Sequence, residues 1–152
     1  MQTVGLTEVT VDYGSPGVKG RPIWGTLLPY DSLWRAGANA ATKVTFSRDV
    51  IFSGKAVAKG SYSLFIIPSR DKDWTVVLNT DAEASAEDYV KSKDLVRVII
   101  KPETVQHRER LAFFLTDFTD STANLVMEWE KVRLSVPLFM NTNAQALSLI
   151  HI

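Results

Sequence analysis

The sequence predicts an all-β fold, an antiparallel β-sandwich with a long ordered loop over residues 28–42, and a jelly-roll-like connectivity is one form open to it. Three observations point there. Short runs rich in Val, Ile, Phe, Tyr and Trp alternate apolar and polar positions with a period of two. Clusters of Gly, Pro, Asp and Ser separate these runs at about ten-residue intervals. No internal repeat and no linker interrupts the pattern before about residue 140.

The elements follow in order. Thr7 to Tyr13 alternates, Lys43 to Ser47 places Val44 and Phe46 on one face, and Asp49 to Ser53 follows before a turn at Gly54-Lys55. Tyr62, Leu64 and Ile66 share a face of Ser61 to Ile67, as do Trp74, Val76 and Leu78 of Trp74 to Asn79, and the intervening loop makes the two a hairpin. Leu95 to Lys101 carries Val96, Val98 and Ile100 inward and stops at Pro102, which cannot donate to a ladder. Leu111 to Thr116 and Asn124 to Pro137 complete a set of about nine strands. In the last, Leu125, Met127 and Trp129, then Val132, Leu134 and Val136, alternate with charged residues. The expected core is Val44, Phe46, Leu64, Ile66, Val76, Leu78, Val98, Ile100, Leu125, Met127 and Trp129, with Phe65 and Trp24 also in the core or between sheets. One short helical turn is expected over Ala84 to Lys91, with Ser85 as its cap and Glu87 and Asp88 near its N-terminus, where the helix dipole favours acids.

A chain of 152 residues suits one domain, here residues 1–140, followed by a tail at 141–152 of helix-prone composition. Lys plus Arg equals Asp plus Glu at 17 each, and neither sign collects in one half. That balance leaves no electrostatic footprint for nucleic acid. No apolar run is long enough to span a bilayer as a helix. The absence of cysteine excludes disulfides, thiolate metal sites and a cysteine nucleophile. No cofactor motif is found.

The catalytic inventory is poor, and no residue is assigned a catalytic or metal-ligating role. His107 is expected in a polar turn between strands, and His151 lies in the tail. No Gly-x-Ser-x-Gly elbow is present. Asp71 with Asp73, Asp81 with Glu83 and Asp117 with Asp120 are close pairs, but all sit in turns, where aspartate is favoured for its bonds to backbone.

The aperiodic stretch from Leu28 to Ala41 is the candidate site, because long loops inside compact domains are usually functional or packed Ω-loops. In the functional reading Tyr30 and Trp34 supply flat apolar area, while Arg35 and Asn39 supply fixed donors for a sugar, a carboxylate or a peptide end. In the structural reading Trp34 plugs the end of the sandwich, Arg35 pairs with Asp31 or Asp49, and Asn39 ties the loop to its own backbone. The structural reading expects Trp34, Arg35 and Asn39 in one hydrogen-bonded cluster.

Three strings stand out together: Val18-Lys19-Gly20-Arg21-Pro22-Ile23-Trp24-Gly25, Pro29-Tyr30-Asp31-Ser32-Leu33-Trp34-Arg35-Ala36-Gly37-Ala38-Asn39, and Gly60-Ser61-Tyr62-Ser63-Leu64-Phe65-Ile66-Ile67-Pro68. With Trp74 to Asn79 they resemble the bacterial DUF2911 family over about residues 2–138. The resemblance implies an exported protein, periplasmic or at the cell surface, with no established activity and with a helical extension in longer members. It also implies a signal segment before the position of Gln2, so Met1 is expected to be an internal start or the product of a truncated gene. Ala40 stands where relatives usually carry glutamate, and Asp31 where they usually carry glycine. Residues 147–152 read as the translation of a transposase library adapter, so the tail is expected to be sequencing read-through.

Two functions follow as expectations. The first is a non-catalytic binding or assembly module of an exported envelope protein, with a glycan, peptide or envelope protein as partner. The alternative is a carboxylate-dependent hydrolase-like enzyme acting on a glycan or peptide with help from Arg35. An arginine in a concave pocket with a carboxylate opposite is what the enzyme needs.

Overall fold

The computed structural model describes residues 2–4, 6–85, 87 and 89–140. Ten strands form two antiparallel sheets. They are β1 (Gln2–Val4), β2 (Thr7–Asp12), β3 (Thr42–Phe46), β4 (Val50–Phe52), β5 (Lys55–Val57), β6 (Gly60–Ile67), β7 (Trp74–Asn79), β8 (Asp94–Ile100), β9 (Glu103–Thr116) and β10 (Thr122–Phe139). The larger sheet has the order β1-β2-β3-β6-β7-β8, and the smaller has β5-β4-β10-β9. The chain leaves the larger sheet after β3, makes the β4–β5 hairpin in the smaller one, and returns as β6.

The expected core positions are buried except Trp24, which is partly buried against the inter-sheet core. Period-two patterning works here because one face of each strand meets the other sheet. The centre of the larger sheet departs from this, since β6 and β7 are buried on both faces. Phe65 and Val77 point away from the smaller sheet and form a second cluster with Ala84, against which Leu33, Ala41 and Tyr89 pack. Phe65 therefore lies outside the inter-sheet core, with its ring 5.1 Å from that of Tyr89.

The parity switch in β10 has a cause in the backbone. Trp129 is the last inward residue of the first arm, and Leu134, Val136 and Leu138 are inward in the second. Between them the pairing with β9 slips on both sides of Glu130, whose φ is 58°. A bulge there turns odd-numbered facing into even-numbered facing without breaking the strand.

Several local expectations need correction. The described residues between Ala84 and Lys91 form no α-helix; the one helical turn there is 3₁₀, at Lys91–Lys93. The segment is pinned instead by side chains: Asn79 donates to the Val90 carbonyl and to Asp94, and Asp94 also accepts from Tyr89 and Arg97. His107 lies inside β9, not in a turn, because that strand begins eight residues before Leu111 at Glu103. The β4–β5 turn is Ser53-Gly54, both with positive φ, as a two-residue hairpin of type I′ requires. The tail at 141–152 lies outside the described residues.

Candidate functional site

Between β2 and β3 the chain crosses one end of the sandwich and touches both sheets. At its start it pairs with β9: Val18 N–H donates to the Glu109 carbonyl at 2.9 Å, and Leu111 N–H to the Pro16 carbonyl at 3.0 Å. Further on it pairs with β6 where β3 has ended, Trp34 and Ile66 exchanging both backbone bonds at 2.8 and 2.9 Å. Two tight approaches hold the crossing. A β-carbon on Gly14 would lie 2.2 Å from the Ala38 carbonyl oxygen, and one on Gly25, at φ 84°, would lie 2.4 Å from the Tyr30 ring. Glycine is the residue such contacts admit.

The crossing delivers two tryptophans to the two already in the sheets. Trp24 and Trp34 meet Trp74 of β7 and Trp129 of β10, so all four tryptophans of the chain form one cluster. Trp24 sits edge-on to the other three, while Trp34 and Trp129 stack with centroids 5.8 Å apart and planes 20° from parallel. Trp74 and Trp129 donate their indole N–H groups to the Ser69 and Glu109 carbonyls. The Trp24 indole nitrogen is buried with no partner among the described residues.

Beside the stacked pair opens a pocket of about 430 Å³, within the range of small-molecule sites. Trp34 and Trp129 line it together with Leu27, Leu28 and Leu33, and Arg21 and Arg35 supply its charge. No Asp, Glu, Asn or Gln lines it. Arg35 is half-buried and spends one donor, Nε, on the Gly37 carbonyl at 3.1 Å. Arg21 spends Nε and Nη2 on the carbonyls of Val18 and Gly17. Neither has a carboxylate partner among the described residues, whereas Arg97 and Arg108 meet Asp94 and Glu128 at 2.7 and 2.9 Å.

Of the residues singled out from sequence, the structure brings Trp34 and Arg35 to this pocket. Tyr30 lies apart from its lining, half-buried against Gly25 and with the Arg70 guanidinium 5.3 Å from its ring centroid. Asn39 is exposed at φ 71°, a conformation asparagine tolerates. The single hydrogen-bonded cluster of Trp34, Arg35 and Asn39 does not form. Backbone carbonyls do that work: Ala38 N–H donates to Gly14, Thr42 N–H to Arg35, and the Thr42 hydroxyl to Ala36. Nor does Arg35 pair with Asp31 or Asp49. Asp31 is exposed at φ 61°, where glycine would sit without strain, and Asp49 accepts from Lys59 N–H at 2.7 Å.

Arg21 and Trp129 were not singled out as site residues. The signal for Arg21 is the stretch from Tyr13 to Tyr30, which contains no Asp or Glu to neutralise it. Trp129 reads as a core residue, which it also is, at 1% exposure.

Elsewhere the polar groups are taken up locally. Asp117 accepts from Thr116 and Asn124, Asp81 from Glu83 N–H, and Glu83 pairs with Lys43. His107 contacts Glu109 at 3.2 Å. The Glu109 carboxyl is held below its ordinary range, first by Lys19 N–H and then by His107. Among the described residues no group of three His, Asp or Glu is placed to hold a metal, and no helix is long and apolar enough to cross a membrane.

The fold and pocket define a two-sheet antiparallel sandwich domain with an aromatic-floored cleft at one end. The chain belongs to the DUF2911 family, described as proteins of unknown function, whose model matches residues 1–138. No curated protein and no solved structure matches it.

Proposed function

We propose that the domain is a non-catalytic binding module whose ligand enters the pocket over Trp34 and Trp129. The observation that carries this reading is a concave, apolar-walled cavity in which two arginines have no carboxylate partner among the described residues. A carboxylate-dependent hydrolase needs two acids facing its cleft, and the lining here supplies none. The setting we propose is an exported envelope protein, on the family resemblance, with a glycan, peptide or envelope protein carrying the bound group.

The test is to probe glycan and peptide arrays with wild type and with Arg35→Ala, and to melt both. Capture by wild type that is lost in Arg35→Ala, with the melting temperature nearly unchanged, is the expected result. A variant that binds as well as wild type would remove the pocket from consideration.

A further inference from the structure

We infer that the ligand class of this pocket is a monocarboxylate on an apolar body, held by Arg35 and Arg21 at its charge and by the Trp34–Trp129 stack at its body. The inference rests on the binding-module reading and narrows it.

Charge gives the first half of the argument. A guanidinium has five donors in a planar fork that matches a carboxylate. Arg35 gives one of its donors to Gly37, and its terminal nitrogens donate to no described residue. Arg21 is held by the Val18 and Gly17 carbonyls, which fix its position without cancelling its charge. Elsewhere buried carboxylates meet arginines: Glu128 receives both Arg108 and Arg133, and Asp94 receives Arg97. This cavity alone among those described combines two arginines with no acid in its lining. An anionic ligand supplies what is missing.

The walls give the second half. Hydroxyl-rich neutral sugars are recognised through acceptors such as carboxylates and side-chain amides, and the lining has neither. Inorganic phosphate would leave Leu27, Leu28 and Leu33 facing water. A small apolar body fills that surface, and a cavity of about 430 Å³ has room for one. A free organic acid and the C-terminal residue of a polypeptide share this chemistry.

The experiment is a set of calorimetric titrations with 3-phenylpropanoate and its amide, and with N-acetyl-Gly-Phe as free acid and as carboxamide. The acids should bind at least about tenfold more tightly than the amides, and Arg35→Gln should erase the difference. Exposed Arg21 offers a second variant, Arg21→Gln, should Arg35→Gln fail to fold. Tighter binding of the peptide acid identifies a polypeptide terminus as the source, and tighter binding of phenylpropanoate a free acid. Equal affinity for acids and amides overturns the carboxylate inference and leaves the pocket reading standing. No binding of any of the four, with tryptophan emission unchanged, overturns both.

Discussion

The Arg35 side chain makes its only bond within the described residues to a carbonyl two positions away, so the scaffold barely depends on it. Losing that bond in Arg35→Ala should cost about 1 kcal/mol or less, a shift of about 2–4 °C in melting temperature for a domain of this size. A larger drop in a thermal melt would mean that the side chain holds the loop. Tyr62 and Tyr89 respond to pH instead. Burial raises both phenols above the ordinary value of 10, aided at Tyr62 by Asp49 and at Tyr89 by the bond to Asp94. The unfolded chain then loses these protons at lower pH than the folded one. The stability they contribute is complete below pH 10 and is lost as pH rises through the folded-state values. Melting temperature should therefore fall as pH rises above 10, and fall less in Tyr89→Phe. Equal slopes for wild type and variant would show that Tyr89 does not contribute.

Among the strands, β10 carries the most specific expectation. Glu130 occupies a left-handed conformation at the bulge, so Glu130→Gly should be neutral or stabilising by up to about 1 kcal/mol. Inserting one residue beside Glu130 would turn Leu134, Val136 and Leu138 toward solvent and should abolish cooperative folding in urea. An insertion variant that kept the wild-type midpoint would contradict the bulge assignment. The alternation on either side of this bulge is plain in the sequence, and so are β3, β6, β7 and β8, because each has one face against the other sheet. The first half of β9 is not, since Glu103 to Arg110 is almost wholly exposed and carries no apolar period. Its strand is set by the backbone of β10, through pairs such as Thr104 with Val132. The three-residue β1 and β5 are too short for any period to register.

For the molecule as a whole, the tryptophan cluster joins the crossing loop, the larger sheet and the smaller sheet at one place. Trp34→Ala should cost about 3–5 kcal/mol, a large part of the total stability of an ordinary domain. Denaturant unfolding would measure it, and a loss below about 1 kcal/mol would show that the loop is held by its backbone bonds alone. Half of the candidate site was legible: Trp34 and Arg35 stand in a loop with no strand period. The rest was not, because Arg21 and Trp129 are brought beside them only by the pairing of residues 16–18 with β9 and of β9 with β10. Ligand is proposed to enter the pocket beside the Trp34–Trp129 stack, with Arg21 and Arg35 meeting its charge. Chemical-shift mapping of the indole and arginine Nε signals of ¹⁵N-labelled protein titrated with 3-phenylpropanoate decides this. Saturable shifts are expected at Trp34, Trp129, Arg21 and Arg35, with Arg108 and Arg133 unmoved; shifts at Arg108 and Arg133 instead, or none at the four pocket residues, would rule the site out.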